Sequence, residues 1–248
     1  MEFSVYEPEG STPRGVVYFL SGLTCTWENV TTKAGFQGWA SNTNLIVVCP
    51  DTSPRGPGVP DRPDESDLGC GAGFYLDATE APWSENYQME SYVVRELPAL
   101  LEPQLQGFSG KRGVFGHSMG GHGALTLGIK HPDHFISMSA MSPVVAPSRV
   151  PWGQKAFAAY LGSEQSAWAE HDACELVKRR GCPYSILVDI GTADPFLDKQ
   201  LKPELFEAAC KGAGVELLLR RQEGYDHSYY FISSFIREHL EWHARMLK

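Results

Sequence analysis

Gly116-His117-Ser118-Met119-Gly120 is the stretch of this sequence best suited to chemistry, a serine with glycines two before and two after it. The apolar run Gly113-Val114-Phe115 precedes it, and the helix-forming run Gly121-His122-Gly123-Ala124-Leu125-Thr126-Leu127 follows. Strand, G-x-S-x-G and helix in that order are the context of a nucleophile elbow. The turn there is so sharp that the serine takes strained dihedrals, and glycines let strand and helix approach without clashing. A serine hydroxyl is a poor nucleophile until a base removes its proton, so Ser118 needs an imidazole oriented by a carboxylate. In sites of this kind the chain order is serine, acid, histidine. His122, His131, His134 and His171 come too early, which leaves His227, His239 and His243. His227 lies in Glu223-Gly224-Tyr225-Asp226-His227-Ser228, a turn after the last predicted strand, and is the expected base. His239 and His243 stand four apart on one predicted helix, a spacing that suits a metal, but no third ligand is in view. They read as two partly exposed helix residues.

The acid should follow the penultimate strand, where Asp189, Asp194 and Asp198 compete. Asp189 falls inside the strand, and Asp198 could begin the following helix as an N-cap. Asp194, in Gly191-Thr192-Ala193-Asp194-Pro195-Phe196, occupies the loop off the strand end and is the expected partner of His227. It would accept from the imidazole N–H and stabilise the imidazolium without taking the proton itself. A developing oxyanion needs two backbone N–H donors. Met119, at the start of the elbow helix, supplies one, and Leu23, in Ser21-Gly22-Leu23-Thr24 after an earlier strand, the other. Cys25, Trp83 and Trp152 are expected to line a substrate pocket, with Tyr87 beside them. Cys25 is a bystander there, because Ser118 already holds the elbow. Gly69-Cys70-Gly71-Ala72-Gly73 has no Gly-Lys-Ser/Thr after it and reads as a tight turn rather than a phosphate loop.

Those residues must be carried by an α/β framework. Short apolar runs predict strands over 16–20, 45–49, 113–115, 135–139, 184–190 and 215–221. Helices are predicted over 31–40, 86–101, 118–130, 201–213 and 230–247, with 147–180 a broken helical segment forming a cap. Residues 50–63, rich in proline, glycine and charge, form a surface loop. Alternating strands and helices imply a mostly parallel central sheet with helices on both faces, which binds ligands at the carboxyl ends of its strands. The 248 residues suit one domain over 1–248. A net charge of −9 argues against nucleic acid or an anionic membrane as a partner, and no apolar run approaches the ~20 residues of a membrane span. Met1 to Tyr6 lacks the basic and apolar regions of a secretion signal. Six cysteines without a C-x-x-C pair then read as reduced thiols in the cytoplasm, and the Asn29-Val30-Thr31 sequon carries no weight.

Longer blocks go beyond the elbow. Ser21-Gly22-Leu23-Thr24-Cys25-Thr26, Asp51-Thr52-Ser53-Pro54-Arg55-Gly56, Gly71-Ala72-Gly73-Phe74-Tyr75-Leu76-Asp77-Ala78-Thr79-Glu80, the segment from Gly116 to Leu125, and Gly224-Tyr225-Asp226-His227-Ser228-Tyr229-Tyr230-Phe231-Ile232 resemble the S-formylglutathione hydrolase (esterase D) family. Pro151-Trp152-Gly153-Gln154-Lys155-Ala156-Phe157 fits the same pattern. The resemblance runs from about Phe3 to the C-terminal helix. It implies an α/β-hydrolase fold, Ser118, Asp194 and His227 as a triad, and Leu23 and Met119 as oxyanion donors. It further implies hydrolysis of S-formylglutathione to formate and glutathione in formaldehyde detoxification, without cofactor or metal, side activity on short-chain esters, and a homodimer. Members of the family usually have a first edge strand and a turn before the segment that matches Met1 to Tyr6. That first edge strand is expected to be missing here, making the next strand an edge with unpaired N–H and C=O groups. Arg55, Arg62 and Lys155 are candidates to hold the glutathione carboxylates. A broad short-chain carboxylesterase is the nearest alternative, followed by an acyltransferase and a catalytically dead binding protein. The last would lack a triad member, and none is missing.

Overall fold

Seven strands, β1 (Phe3–Tyr6), β2 (Gly15–Leu20), β3 (Leu45–Pro50), β4 (Arg112–His117), β5 (Ser137–Met141), β6 (Ile186–Gly191) and β7 (Leu217–Gln222), make one sheet in the computed structural model, which describes residues 1–10 and 12–248. Their order across the sheet is β1-β3-β2-β4-β5-β6-β7. β1 runs antiparallel to β3 and every other neighbouring pair is parallel. Successive side chains of a strand point to opposite faces, so two apolar layers grow from one sequence. Val16, Tyr18 and Leu20 of β2 join one core, while Val17 and Phe19 join the other.

Ten α-helices are described: α1 (Trp27–Lys33), α2 (Gln37–Thr43), α3 (Met89–Ser91), α4 (Leu97–Leu101), α5 (Met119–Lys130), α6 (Pro151–Leu161), α7 (Gln165–Trp168), α8 (Ala173–Arg180), α9 (Pro203–Ala213) and α10 (Tyr229–Met246). α1, α2 and α10 bury apolar residues on one face of the sheet, and α4, α5, α8 and α9 on the other. No helix is long and apolar enough to cross a membrane among the described residues.

Several elements depart from expectation. The helix predicted over 31–40 is two, interrupted at Gly35 with φ +64°, and α1 begins earlier because Thr26 and Asn29 form a capping box. The predicted helix over 86–101 is interrupted by a wider turn at Tyr92–Glu96 between α3 and α4. The strand near 135–139 is shifted to Ser137–Met141. β1, whose four residues carry no clear pattern, forms the edge of the sheet on β3. Within 147–180, α8 packs against α5 and α9 as part of the layer beside the sheet, and α6 borders the ligand cavity.

His239 and His243 are not partly exposed, since both are fully buried between α10 and the sheet. His243 Nδ1 is hydrogen-bonded to Ser137 Oγ (2.7 Å) and His243 Nε2 to Ser139 Oγ (3.0 Å). Ser139 Oγ is also hydrogen-bonded to His239 Nδ1 (2.8 Å), and His239 Nε2–H donates to Asp189 Oδ2 (2.9 Å). Every ring nitrogen of the two histidines thus has a hydrogen-bond partner. Arg220 and Gln222 complete the shell of Asp189. Burial alone would raise the Asp189 carboxyl, but these hydrogen bonds hold it down at about 2.

Candidate active site

Ser118 sits between β4 and α5 with φ 57° and ψ −117°, a conformation that L-residues seldom adopt. Ser118 N–H donates to Met141 O (3.0 Å), and Val144 and His122 N–H groups donate to Ser118 O, so the turn is held from both sides. The flanking glycines are required by contact. A Cβ on Gly116 would lie 2.4 Å from Gly120 O, and one on Gly120 would lie 1.9 Å from Leu20 O. β2, β4 and α5 could not meet here with any larger residue.

Asp194 lies in the turn after β6 and His227 in the turn between β7 and α10. Ala193 N–H donates to Tyr225 O (3.0 Å) and Gly224 N–H to Thr192 Oγ1 (2.9 Å), which lace the two turns together. His227 Nδ1–H donates to Asp194 Oδ2 (2.5 Å), while Asp194 Oδ1 accepts from Phe196 N–H (2.9 Å). Nδ1 is thereby the protonated nitrogen and Nε2 the one left to receive a proton. The two competing acids lie elsewhere: Asp189 belongs to the buried chain on His239, and Asp198 is exposed in the helical turn Leu197–Leu201.

Ser118, His227, Leu23, Cys25 and Trp152 line one cavity of about 510 Å³. Met119 N–H, at the first position of α5, and Leu23 N–H have no acceptor among the described residues. The Leu23 loop is pinned from behind, where Thr24 N–H donates to Gly71 O (2.9 Å). Gly69 and Gly71 both have positive φ in this tight turn, and a Cβ on Gly71 would press on Thr24 Cα at 3.0 Å. Burial pushes the Cys25 thiol up, which keeps it protonated and a poor nucleophile.

Trp83 is not part of the cavity wall. It is buried edge-to-face against Tyr87 (5.0 Å) and Tyr160 (5.2 Å), where its large apolar surface supports α6 from within. Tyr87 belongs to the same cluster. Sequence reasoning missed a file of rings along the cavity: Trp152 meets Phe196 (4.7 Å), Phe196 meets His227 (5.0 Å), and His227 meets His117 (4.3 Å). Burial, with His227 nearby, keeps the His117 imidazole neutral by lowering it well below the ordinary histidine range. Its position in the elbow motif was the available signal. Tyr229, the first residue of α10, also lines the cavity.

The cavity holds the Ser118 hydroxyl and an imidazole oriented by Asp194, with no hydrogen bond between the two among the described residues, and two backbone amides lack an acceptor; these are the parts that acyl transfer through a tetrahedral intermediate needs. The family model described as "Putative esterase" matches residues 1–242. An S-formylglutathione hydrolase from Agrobacterium tumefaciens is 52% identical with a TM-score of 0.96, over 99% of this chain and 90% of that one. An S-formylglutathione hydrolase from Staphylococcus aureus is 18% identical with a TM-score of 0.73, over 98% of this chain and 92% of that one. A ferulic acid esterase from Anaeromyces mucronatus is 20% identical with a TM-score of 0.66, over 98% of this chain and 85% of that one. At those identities the last two share only the fold. The chain belongs to the esterase family, built on the α/β-hydrolase fold.

Proposed function

We propose that this protein hydrolyses S-formylglutathione to formate and glutathione through a formyl-serine on Ser118, with side activity on short-chain esters. The reading is carried by His227, which Asp194 holds at 2.5 Å and which lines the same cavity as Ser118. The 52% identity to the Agrobacterium tumefaciens enzyme supports the choice of thioester.

His227 Nε2 takes the Ser118 proton as Oγ attacks the formyl carbon. Leu23 and Met119 N–H groups bind the oxyanion as the carbonyl π pair moves to oxygen. The pair returns, the C–S bond breaks, and the imidazolium gives its proton to the departing sulfur. A thiol pKa near ~8.5 makes that sulfur an easy leaving group. Water, deprotonated by His227, then attacks the formyl-serine; the C–Oγ bond breaks, Oγ recovers the proton, and formic acid leaves and ionises. Asp194 stays ionised throughout and holds the ring's orientation.

Six free cysteines fit a reducing compartment, so the reaction is assigned to the cytoplasm, where it would serve formaldehyde detoxification. A homodimer is part of the same reading. Steady-state release of glutathione, compared with p-nitrophenol release from p-nitrophenyl acetate, tests the substrate. A higher kcat/KM for the thioester is expected, and the reverse would favour a general carboxylesterase. Ser118→Ala should abolish both activities while the fold survives by circular dichroism, and residual activity within about tenfold of wild type would end the assignment.

A further inference from the structure

Glutathione carries two carboxylates and one ammonium at neutral pH, and a cationic clamp for the carboxylates is the obvious expectation. The three candidate cations do not form one. Arg55 is turned inward to Asp51 (2.8 Å) and Cys25 O (3.0 Å), and neither it nor Arg62 lines the catalytic cavity. Lys155 of α6 does line it, but its Nζ is already bridged by Glu65 and Asp67, each at 2.5 Å. Asp64, on the same loop, also lines the cavity and has no ion-pair partner among the described residues. The cavity mouth therefore presents three carboxylates against one engaged ammonium. That a ligand enters here is indicated separately by its floor. Ser118 and His227 lie there, with the His117 ring beside them.

We infer that the mouth formed by Asp64, Glu65, Asp67 and Lys155 recognises the leaving group through its free α-ammonium, not through its carboxylates. The inference rests on the thioester reading above. The γ-glutamyl ammonium faces Asp64 and its neighbours, while the carboxylate on the same carbon and the glycyl carboxylate both turn away to solvent. Lys155 serves to bind the acidic loop to α6 and to limit the negative charge of the mouth. A substrate with the ammonium removed would bring only negative charge to a negative rim, which like-charge repulsion disfavours.

The test compares S-formylglutathione with its N-acetyl derivative, which lacks the ammonium and keeps both carboxylates. N-acetylation is expected to lower kcat/KM about tenfold, chiefly through KM. Asp64→Asn should shrink that ratio by about fivefold, as loss of one exposed charge pair allows. Lys155→Met, which unmasks two carboxylates, should enlarge it. Equal kcat/KM for the two thioesters in the wild type would overturn the inference alone. So would a Lys155→Met variant that loses activity on both thioesters alike with the ratio fixed, the mark of a carboxylate clamp. If S-formylglutathione itself proves no better than p-nitrophenyl acetate, the thioester reading falls and this inference falls with it.

Discussion

Ser118, Asp194 and His227 come from three turns, and the proposed mechanism needs all three together. The Asp194 carboxylate is 5% exposed and its two oxygens are already committed, one to His227 and one to Phe196 N–H. An amide in its place would have an NH2 facing the imidazole or would favour the wrong tautomer. Asp194→Asn is therefore expected to lower kcat by about 10,000-fold with KM nearly unchanged, measured by steady-state kinetics. A near-normal rate would remove Asp194 from the mechanism. Phe196 and His117 pack on His227, so the ring is restrained by apolar contact as well as by its hydrogen bond.

At the level of elements, the site depends on how closely β2, β4 and α5 approach. Gly120 faces the backbone of Leu20, and the next residues of that chain form the loop carrying Leu23. A methyl group at 120 would meet Leu20 O at 1.9 Å and Leu20 C at 2.3 Å, both backbone atoms with no rotamer to change. Gly120→Ala should cost about 3 kcal/mol or more of stability, read from urea unfolding, by forcing strand and helix apart. Because the same shift moves the Leu23 amide relative to Ser118, kcat should fall in whatever protein remains folded. A variant with wild-type stability would show that the three elements are not in such tight contact.

For the whole molecule, the buried imidazoles set the response to acid. Burial, first of all, lowers His122 and His243 to about 3, and His117 is also held well below its ordinary value. An unfolded histidine binds its proton near pH ~6.5, so between that pH and about 3 the unfolded chain holds more protons than the folded one. The stability contributed by these neutral rings is complete above pH ~6.5 and drains away as pH falls towards their folded values. Asp189 and Glu90, both held at about 2, act in the same direction below pH ~4.5. The thermal midpoint should fall from pH 7.5 to pH 4, with about five protons taken up on unfolding at pH 5 from these three histidines and from His134 and His171, which burial lowers to about 4. Calorimetry in buffers of different ionisation enthalpy measures that uptake, and a flat midpoint over this range would contradict it.

The elbow was legible in the sequence because its requirements are local: a strand, a turn with glycines at fixed offsets, and a helix are all written within a dozen or so neighbouring residues. Chain order, with position in the turns after the last two strands, then pointed to Asp194 and His227, and alternating apolar runs and helices implied a mostly parallel sheet covered on both faces. What no window of sequence contained was which distant faces would meet. His239 finds Ser139 a hundred positions away, turning two residues that look like surface into a buried polar chain. Trp83 went to the core, where Tyr160, far along the chain, meets its ring edge-to-face. The charge of the cavity mouth was decided likewise, when Lys155 of α6 met Glu65 and Asp67 of a remote loop. Local propensity and spacing specify elements and turns, whereas the partner of a long side chain depends on packing that closes only when the whole sheet and its helices have assembled.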